Sequence, residues 1–377
     1  MAVIRDAAVD AAVAVDAVEK KVFITGSGRC GECHEKMFDE WEVSAHARAV
    51  SSSFYKASVA AAKDATCDRC HAPLAKLAPR DIVVSEGVTC DVCHTLREPA
   101  PAPGGGGFRL AVDDMVKYGP RCDLKDHYFH RMGCSPEHRD AALCGTCHWW
   151  EPRGIPVFTE YADWKAGPAA AKGLQCQGCH MPKSRAEIAT GSPVRSGVPH
   201  HGLLGLAQDL RQRALGLEVT VTEDAGALAV AVTVKNHNAG HAVPAGLPER
   251  RLVVTARVVD AAGSEVASDS RQLGRVLVDA AGHEAPFWRA AKVGSDTRIA
   301  VGGAWQDTLR LQAANVGTLE VDVVYRGMPD AIAKELAITD VEEQPMVKAK
   351  IRLGGRLPKS VTVKPPAAGK RAKKAAR

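Results

Sequence analysis

The feature that most constrains this chain is the motif Cys-x-x-Cys-His, which occurs five times. With 12 Cys and 14 His among 377 residues, chance alone predicts far less than one copy. The copies, numbered motif 1 to motif 5 in chain order, are Cys30–His34, Cys67–His71, Cys90–His94, Cys144–His148 and Cys176–His180. A repeat this regular implies that the same local chemistry is performed five times.

That chemistry is typical of c-type haem attachment, because two thiols three residues apart reach the vinyl groups as thioethers and the adjacent imidazole turns onto the iron. A redox dithiol is normally single, and zinc sites need paired four-ligand sets. Neither alternative predicts a His after every second Cys. We therefore predict five covalently attached haem c groups. The predicted haem-binding residues are Cys30, Cys33, His34, Cys67, Cys70, His71, Cys90, Cys93, His94, Cys144, Cys147, His148, Cys176, Cys179 and His180.

Composition indicates how such a region would be held together. Only 5% of the residues are aromatic, so an ordinary side-chain core around the motifs would be thin, and the porphyrins would have to supply much of it. Two cysteines, Cys122 and Cys134, lie outside the motifs. They could form a disulfide in an oxidising compartment, remain as buried thiols, or supply an iron-ligating thiolate.

The chain divides into four segments by pattern. Residues 1–25 are expected to be a mobile leader, and residues 26–205 a pentahaem cytochrome domain of short helices and Gly/Pro-rich loops. Residues 206–356 contain no cysteine and alternate apolar with polar residues. Residues 357–377 are expected to be a disordered basic tail.

Alternation with period two predicts β-strands with one buried face. The predicted strands are Leu217–Thr222, Leu228–Val234, Leu252–Val259, Trp305–Leu311, Leu319–Tyr325 and Val347–Leu353. Short antiparallel strands of this kind pack as an immunoglobulin-like sandwich. The predicted fold class is α+β, with a mainly helical, loop-rich multihaem domain followed by an antiparallel β-sandwich.

A six-coordinate iron needs a second axial ligand, which the histidines outside the motifs could supply. His46 follows motif 1 in a predicted helix. At least one of His127, His130 and His138 is expected to ligate, and only one of the tandem His200 and His201 would point inward. His241 lies in a glycine-flanked loop that leaves a predicted strand, from which it could reach a haem.

Several segments together resemble the cytochrome c-554-like multihaem family, which is related to hydroxylamine oxidoreductase and other multihaem reductases. They are Cys30–His46, Gly87–His94, Ser135–His148, Glu160–Trp164, Cys176–Pro182 and His201–Gly205, with a weaker echo in Gly240–Gly246. The resemblance covers roughly residues 26–205. It implies closely stacked haems and electron transfer, and it matches His46, His130, His138 and His201 to distal-ligand positions.

These observations favour an electron-transfer protein that works with other redox proteins, either cytochromes or quinol-linked membrane complexes. The alternative is a multihaem oxidoreductase that acts on a small nitrogen or sulfur compound at one five-coordinate haem. Cys-x-x-Cys-Lys is absent from the sequence, which argues against a nitrite or hydroxylamine site. A third hypothesis makes the sandwich a docking module or a lid over the haem edges.

Location and surface contacts follow from simpler patterns. Haem attachment of this kind takes place after export, so we expect a periplasmic or extracellular location, although residues 1–21 show no recognisable signal peptide. No stretch reaches the roughly 20 apolar residues of a transmembrane helix. The basic tail is either a solvated end or a contact for an anionic membrane or an acidic protein. No basic patch is interleaved with aromatics, so nucleic-acid binding is not expected.

Overall fold

The structure is a computed structural model, and it describes residues 22–63, 65–77, 82–112 and 114–366. The chain divides into two compact units. The first, which we call the motif unit, comprises Met1–Ala162 and Ala169–Leu206. The second, the sandwich unit, comprises Asp163–Pro168 and Ala207–Arg377. The short segment Asp163–Pro168 therefore groups with the sandwich unit, which the division of the sequence at residue 206 does not anticipate.

Short helices make up most of the regular structure around the motifs. They are α1 Ser27–Gly31, α2 Glu35–Glu42, α3 Ser53–Ala62, α4 Asp68–His71, α5 Cys90–Thr95, α6 Ala142–Gly145, α7 Glu160–Ala166, α8 Pro168–Ala171 and α9 Cys176–His180. Their ends are set by local chemistry. The Thr89 hydroxyl accepts from the Val92 amide at the start of α5. Helix α3 ends at Ala62 and is followed by Lys63, whose φ of 53° is left-handed.

Three two-stranded sheets complete the motif unit. They consist of β1 Leu96–Ala100 with β2 Gly107–Leu110, β3 Val116–Gly119 with β4 Arg131–Cys134, and β5 Lys183–Ala186 with β6 Arg195–Pro199. The β3–β4 pair is parallel, whereas the other two are antiparallel. A disulfide joins Cys122 to Cys134, so of the three states considered for these cysteines, the structure has the bridge.

The sandwich unit contains two four-stranded sheets, ordered β10-β9-β14-β15 and β13-β8-β7-β16, and the two-stranded sheet β11-β12. Its strands are β7 Leu215–Asp224, β8 Ala227–Asn236, β9 Arg251–Val259, β10 Glu265–Leu273, β11 Arg275–Val278, β12 Lys292–Asp296, β13 Ala304–Leu311, β14 Thr318–Arg326, β15 Glu343–Arg352 and β16 Lys359–Val363. Two helices, α10 Gln208–Gln212 and α11 Asp330–Glu335, accompany them.

Alternating side chains from the two larger sheets form one continuous core. On β9, Leu252, Val254 and Ala256 are fully buried while the residues between them are partly exposed. Leu217 on β7 and Leu319 on β14 belong to the same cluster. Burying side chains of this size contributes about 1.5–3 kcal/mol each, so the period-two pattern is sufficient to organise this unit.

The fold class is confirmed. Five of the six predicted strands lie within a strand of the structure, and the sixth, Val347–Leu353, extends one residue beyond β15. The sequence pattern missed β10 because its residues are largely polar and exposed at the edge of its sheet. It missed β11 and β12 because they form a short separate sheet.

Both ends of the chain require a correction. The segment predicted as a disordered tail contains β16, whose residues pair with β7 from Lys359 to Val363. Main-chain pairing with β7 overrides the charged composition of this segment. Residues 22–25, assigned to a mobile leader, include Phe23, whose amide donates to the Val112 carbonyl at 2.7 Å, and Thr25, whose amide donates to the Asp91 carboxylate at 2.6 Å. Residues 1–21 and 367–377 lie outside the described residues.

No helix in the described part of the chain is both long enough and apolar enough to span a bilayer.

Candidate haem-binding sites

Each motif lies on or beside a short helix, and this places its reactive groups on one side. In α5, Cys90, Cys93 and His94 are three and four residues apart, the spacing at which helical side chains share a face. Motif 5 has the same arrangement along α9. The two thiols and the imidazole can therefore approach one planar group together, as attachment requires.

Thiols from different motifs lie in contact. The Cys30 thiol of motif 1 interacts with that of Cys90 in motif 3, and the Cys70 thiol of motif 2 interacts with that of Cys147 in motif 4. Motif 4 also touches motif 5, because the thiols of Cys144 and Cys176 interact. The motif unit thus gathers attachment points that are far apart in sequence.

Burial favours the neutral form of the Cys93 thiol in motif 3. Burial raises the pKa of Cys93 to about 12, and the neighbouring Cys90 and Cys147 add to the shift. Because Cys147 contributes to the pKa of Cys93, motif 3 lies beside motif 4. The ten motif cysteines form no disulfides with one another, so they remain available for thioether formation.

Backbone carbonyls orient three of the motif histidines. Nδ1 of His71 lies 2.9 Å from the Ala49 carbonyl oxygen, and Nδ1 of His94 lies 2.6 Å from that of Tyr118. Nδ1 of His34 contacts the Ile188 carbonyl in the same way. A carbonyl can only accept, so Nδ1 must carry the proton and Nε2 keeps its lone pair. This is the usual support for a metal-binding imidazole.

The distances between histidine rings test whether an iron would fit between them. An imidazole nitrogen sits about 2 Å from a bound metal, so rings on opposite sides of one metal have centres roughly 6 Å apart. Three pairs have this spacing. The ring centres are 6.3 Å apart for His34 and His130, 6.2 Å for His46 and His148, and 6.4 Å for His94 and His201. These pairs fit bis-histidine ligation.

His46 provides a second sign of fit. Its Nδ1 is buried and has no hydrogen-bond partner among the described residues, an arrangement that needs an explanation. Burial lowers the pKa of His46 to about 3, and the nearby His148 lowers it further. Burial likewise lowers the pKa of His201 to about 3. Both imidazoles are therefore neutral at physiological pH, which is the form that binds metals.

His138 is placed differently. Its ring centre lies 5.6 Å from that of His94, but both of its nitrogens are engaged. Nε2 is 3.0 Å from the Cys93 carbonyl oxygen, and Nδ1 is 2.9 Å from the Ser135 hydroxyl. Nε2 must donate to that carbonyl, so it has no lone pair to spare, while the Ser135 hydroxyl donates its proton to Glu137 at 2.6 Å. Ligation by His138 stays a prediction, and this geometry favours a supporting role beside motif 3.

The sequence left open which of His200 and His201, and which of His127 and His130, is the ligand. In the structure the two members of each set make different contacts. His200 accepts from the Gly202 amide at 2.9 Å through Nδ1 and lies 3.5 Å from the Glu40 carboxylate, whereas His201 faces His94. His127 stacks on Tyr128 with ring centres 4.2 Å apart, whereas His130 faces His34.

Neither His180 nor His241 belongs to one of these three pairs. His180 ends α9. His241 is in the sandwich unit, in the loop after β8, with Nδ1 3.0 Å from the Ala242 carbonyl oxygen. Ligation by His241 stays a prediction.

The sequence did not point to Tyr55. Its ring stacks on His71 with centres 4.6 Å apart, and its hydroxyl donates to Asp68 at 2.7 Å. The carbonyls of Ala49, Tyr118 and Ile188 were also missed. Every residue type supplies a carbonyl, so no sequence signal could have identified these three. A Tyr within twenty residues of a motif, such as Tyr55, could have been considered as a residue that packs on a motif histidine.

Comparison with known proteins agrees with this geometry. Residues 29–95, which include motifs 1 to 3, match the family described as "Cytochrome c554 and c-prime". No curated protein sequence matches the chain.

Two solved structures are similar. A penta-haem cytochrome c552 from Thermochromatium tepidum shares 20% identity and a TM-score of 0.69, over 87% of this chain and 99% of that one. The Northeast Structural Genomics Consortium target SoR45 shares 14% identity with a TM-score of 0.19, over 38% of this chain and 90% of that one, a similarity too low to bear on the fold. The chain is therefore similar to the cytochrome c554 family over residues 29–95, and it shares the fold of a penta-haem cytochrome c552.

Proposed function

We propose that this protein carries five haem c groups, one at each motif, and transfers electrons between redox proteins in the periplasm or at the cell surface. The observation that carries the proposal is the set of three imidazole pairs at the spacing of axial ligands. Each pair joins one motif histidine to a histidine from another part of the chain. When bound, haem supplies a one-electron cycle between ferric and ferrous iron.

The residues that would hold the groups can be assigned one by one. The ten motif thiols would form the thioethers, and the five motif histidines would be the proximal ligands. His130 would serve motif 1, His201 motif 3 and His46 motif 4. His138 and His241 remain predicted ligands that are not assigned to a particular motif.

Contacts between motifs support a connected series of sites. Motif 1 touches motif 3 through Cys30 and Cys90, and motif 3 lies beside motif 4. Motif 4 touches both motif 2 and motif 5. Motif 4 is therefore the junction of the series, with routes to three neighbours. This layout suits electron transfer from haem to haem, because motifs that touch would keep their attached haems close together.

The chain's own residues would tune each site. Carbonyls that accept from Nδ1 hold the proximal rings in one orientation and raise their basicity as ligands. Burial lowers the pKa of His46 and of His94, which keeps both imidazoles neutral. Exposure differs between motifs, since Cys33 and Cys179 are exposed while the other motif cysteines are only partly exposed. We therefore expect the five reduction potentials to differ.

The number of haems can be tested by intact mass spectrometry of the exported protein. We expect a mass equal to the polypeptide plus five haems. The double variant Cys67→Ala/Cys70→Ala should lose one haem, whereas Cys122→Ser/Cys134→Ser should keep all five, because those cysteines lie outside the motifs. Fewer than five haems on the unchanged protein would contradict the proposal.

Ligation by His241 needs a separate test. Replacing His241 with Ala should convert one haem to the high-spin state, seen by electron paramagnetic resonance of the oxidised protein. His237→Ala, in the same loop, is the matched control and should leave the spectrum unchanged. An unchanged spectrum for His241→Ala would remove His241 from the ligand set.

A second candidate function rests on motif 2. Among the described residues, the ring in contact with His71 is that of Tyr55 rather than an imidazole. An iron at motif 2 without a distal histidine would be open to a small nitrogen or sulfur compound. A high-spin signal from one haem of the unchanged protein, shifted by nitrite or nitric oxide, would favour this enzyme role, and entirely low-spin haems would exclude it.

A further inference from the structure

We infer that the Cys122–Cys134 disulfide is a positioning device that holds His130 opposite His34. This inference rests on the proposed function, in which His130 is the distal ligand of motif 1. The residues from Cys122 to Cys134 form one loop closed by the bridge, with a sequence separation of 12. We call this segment the stapled loop.

Packing contributes little to the position of the stapled loop. Residues 125–129 are all exposed, and at its tip Tyr128 is 82% and Phe129 48% exposed. A buried side chain is held by contacts on every side, whereas these residues have solvent on most sides. The position of the neighbouring His130 must therefore come from the backbone.

The loop's hydrogen bonds are largely internal. The amides of His127 and His130 each donate to the other's carbonyl, at 3.1 and 3.2 Å, and the Met132 amide donates to Asp126 at 2.9 Å. These bonds fix the shape of the tip. They do not fix where the tip lies relative to His34.

The C-terminal side of the loop is anchored by strand pairing. Residues of β4 pair with β3 from Arg131 to Cys134, and Gly133 lies so close to the Tyr118 ring that a Cβ atom there would be 2.3 Å from it. The carbonyl of Tyr118 also accepts from His94. Strand β4 therefore connects the stapled loop rigidly to motif 3.

The N-terminal side has weaker support apart from the disulfide. Asp123 pairs with Arg195 at 2.6 Å and with Arg121 at 3.4 Å, and Arg121 donates to the Ser196 carbonyl at 3.2 Å. Asp123 is 56% exposed, so water and salt screen these pairs. The covalent bond to Cys134 transfers the anchoring of β4 to Cys122 and restricts the conformations of the loop.

The test is the double variant Cys122→Ser/Cys134→Ser in the full chain with its haems, examined by electron paramagnetic resonance after oxidation. We expect a high-spin signal from a fraction of one haem, with a matching loss of low-spin signal, and recovery of low spin when free imidazole is added. The haem count should not change. His127→Ala is the matched control within the loop and should keep the spectrum of the unchanged protein.

His130→Ala separates this inference from the proposed function. It should convert one haem fully to high spin, and a failure to do so would overturn the ligand assignment itself. If His130→Ala gives that signal but the double Ser variant remains entirely low-spin, the positioning role is refuted and the assignment stands. Should the double variant not accumulate, the unchanged protein can be treated with a phosphine reductant, alkylated with iodoacetamide and reoxidised with ferricyanide. The same two outcomes then apply.

Discussion

The two units of the chain differ in what fills their interiors. The sandwich unit has one continuous cluster of buried Leu, Val and Ile side chains drawn from both four-stranded sheets. The buried cluster described for the motif unit is much smaller. It consists of Leu74, Val83, Val92 and Val112, with Ile24, Leu77, Val88 and Leu110 packed against it. A region of this length cannot offset its conformational entropy with so few apolar side chains. The comparison teaches that the motif unit is designed around groups the polypeptide does not encode, whereas the sandwich unit is complete in its side chains.

The largest expected effect comes from preventing haem attachment, which tests whether only the motif unit needs haem to fold. We expect a variant with all ten motif cysteines changed to Ala to lose the structure of the motif unit while the sandwich unit stays folded. Limited proteolysis followed by mass spectrometry should leave a protected fragment that begins near residue 207. The haem-loaded protein under the same digestion is the control. Equal protection of both units without haem would show that side chains alone suffice for the motif unit.

A core substitution tests whether buried side chains stabilise the sandwich unit. Leu217 is fully buried, so Leu217→Ala should lower the free energy of unfolding of this unit by about 2–5 kcal/mol. Val266 on β10 is 56% exposed, and Val266→Ala should change it by less than about 0.5 kcal/mol. Urea unfolding followed by far-ultraviolet circular dichroism measures both. Equal losses for the two variants would contradict the placement of Leu217 in the core.

A ligand substitution tests the motif unit one site at a time. We expect His46→Ala to remove the distal ligand of motif 4 and to convert one haem to high spin, because His46 lies at axial spacing from His148. The matched control is His283→Ala, whose side chain is 82% exposed. Electron paramagnetic resonance of both oxidised variants gives the answer. An entirely low-spin spectrum for His46→Ala would refute the pairing.

The smallest effect concerns an ion cluster on the sandwich. Hydrogen bonds from Lys350, Lys348 and Arg257 lower the pKa of Glu320 to about 2 from its ordinary value of 4.5. Because the folded pKa lies below the unfolded value, this carboxylate stabilises the fold above about pH 4.5 and loses that contribution as pH falls towards 2.

Glu320→Gln should therefore lower the free energy of unfolding at pH 7 by about 1 kcal/mol, as expected for pairs screened by solvent. Urea unfolding of both proteins at pH 7 and pH 3 checks the sign. The difference between them should shrink at the lower pH, and a difference independent of pH would show that the carboxylate charge is not responsible.

Particular residues show how far sequence reasoning reaches. The strands β7, β9 and β14 were predictable because alternation of apolar and polar residues reports directly on one buried face. The strand β16 was not, because Lys359–Val363 carries no strong pattern and owes its strand to pairing with β7. For the distal ligands, the sequence supplied the candidate His130 but not its partner. Its ring lies opposite that of His34, far away in the chain, and we propose that the Cys122–Cys134 disulfide and the parallel strand pair β3–β4 hold it there.

The sequence by itself determined the attachment chemistry, because two thiols and an imidazole within five residues are brought together by any short helix. It also determined the sandwich, because period-two alternation is a local property. Only the tertiary structure decided which imidazoles face each other, which motifs are neighbours and which carbonyls orient the rings. Those relationships join residues that are distant in sequence, and no local pattern encodes the direction in which a folded chain brings them together.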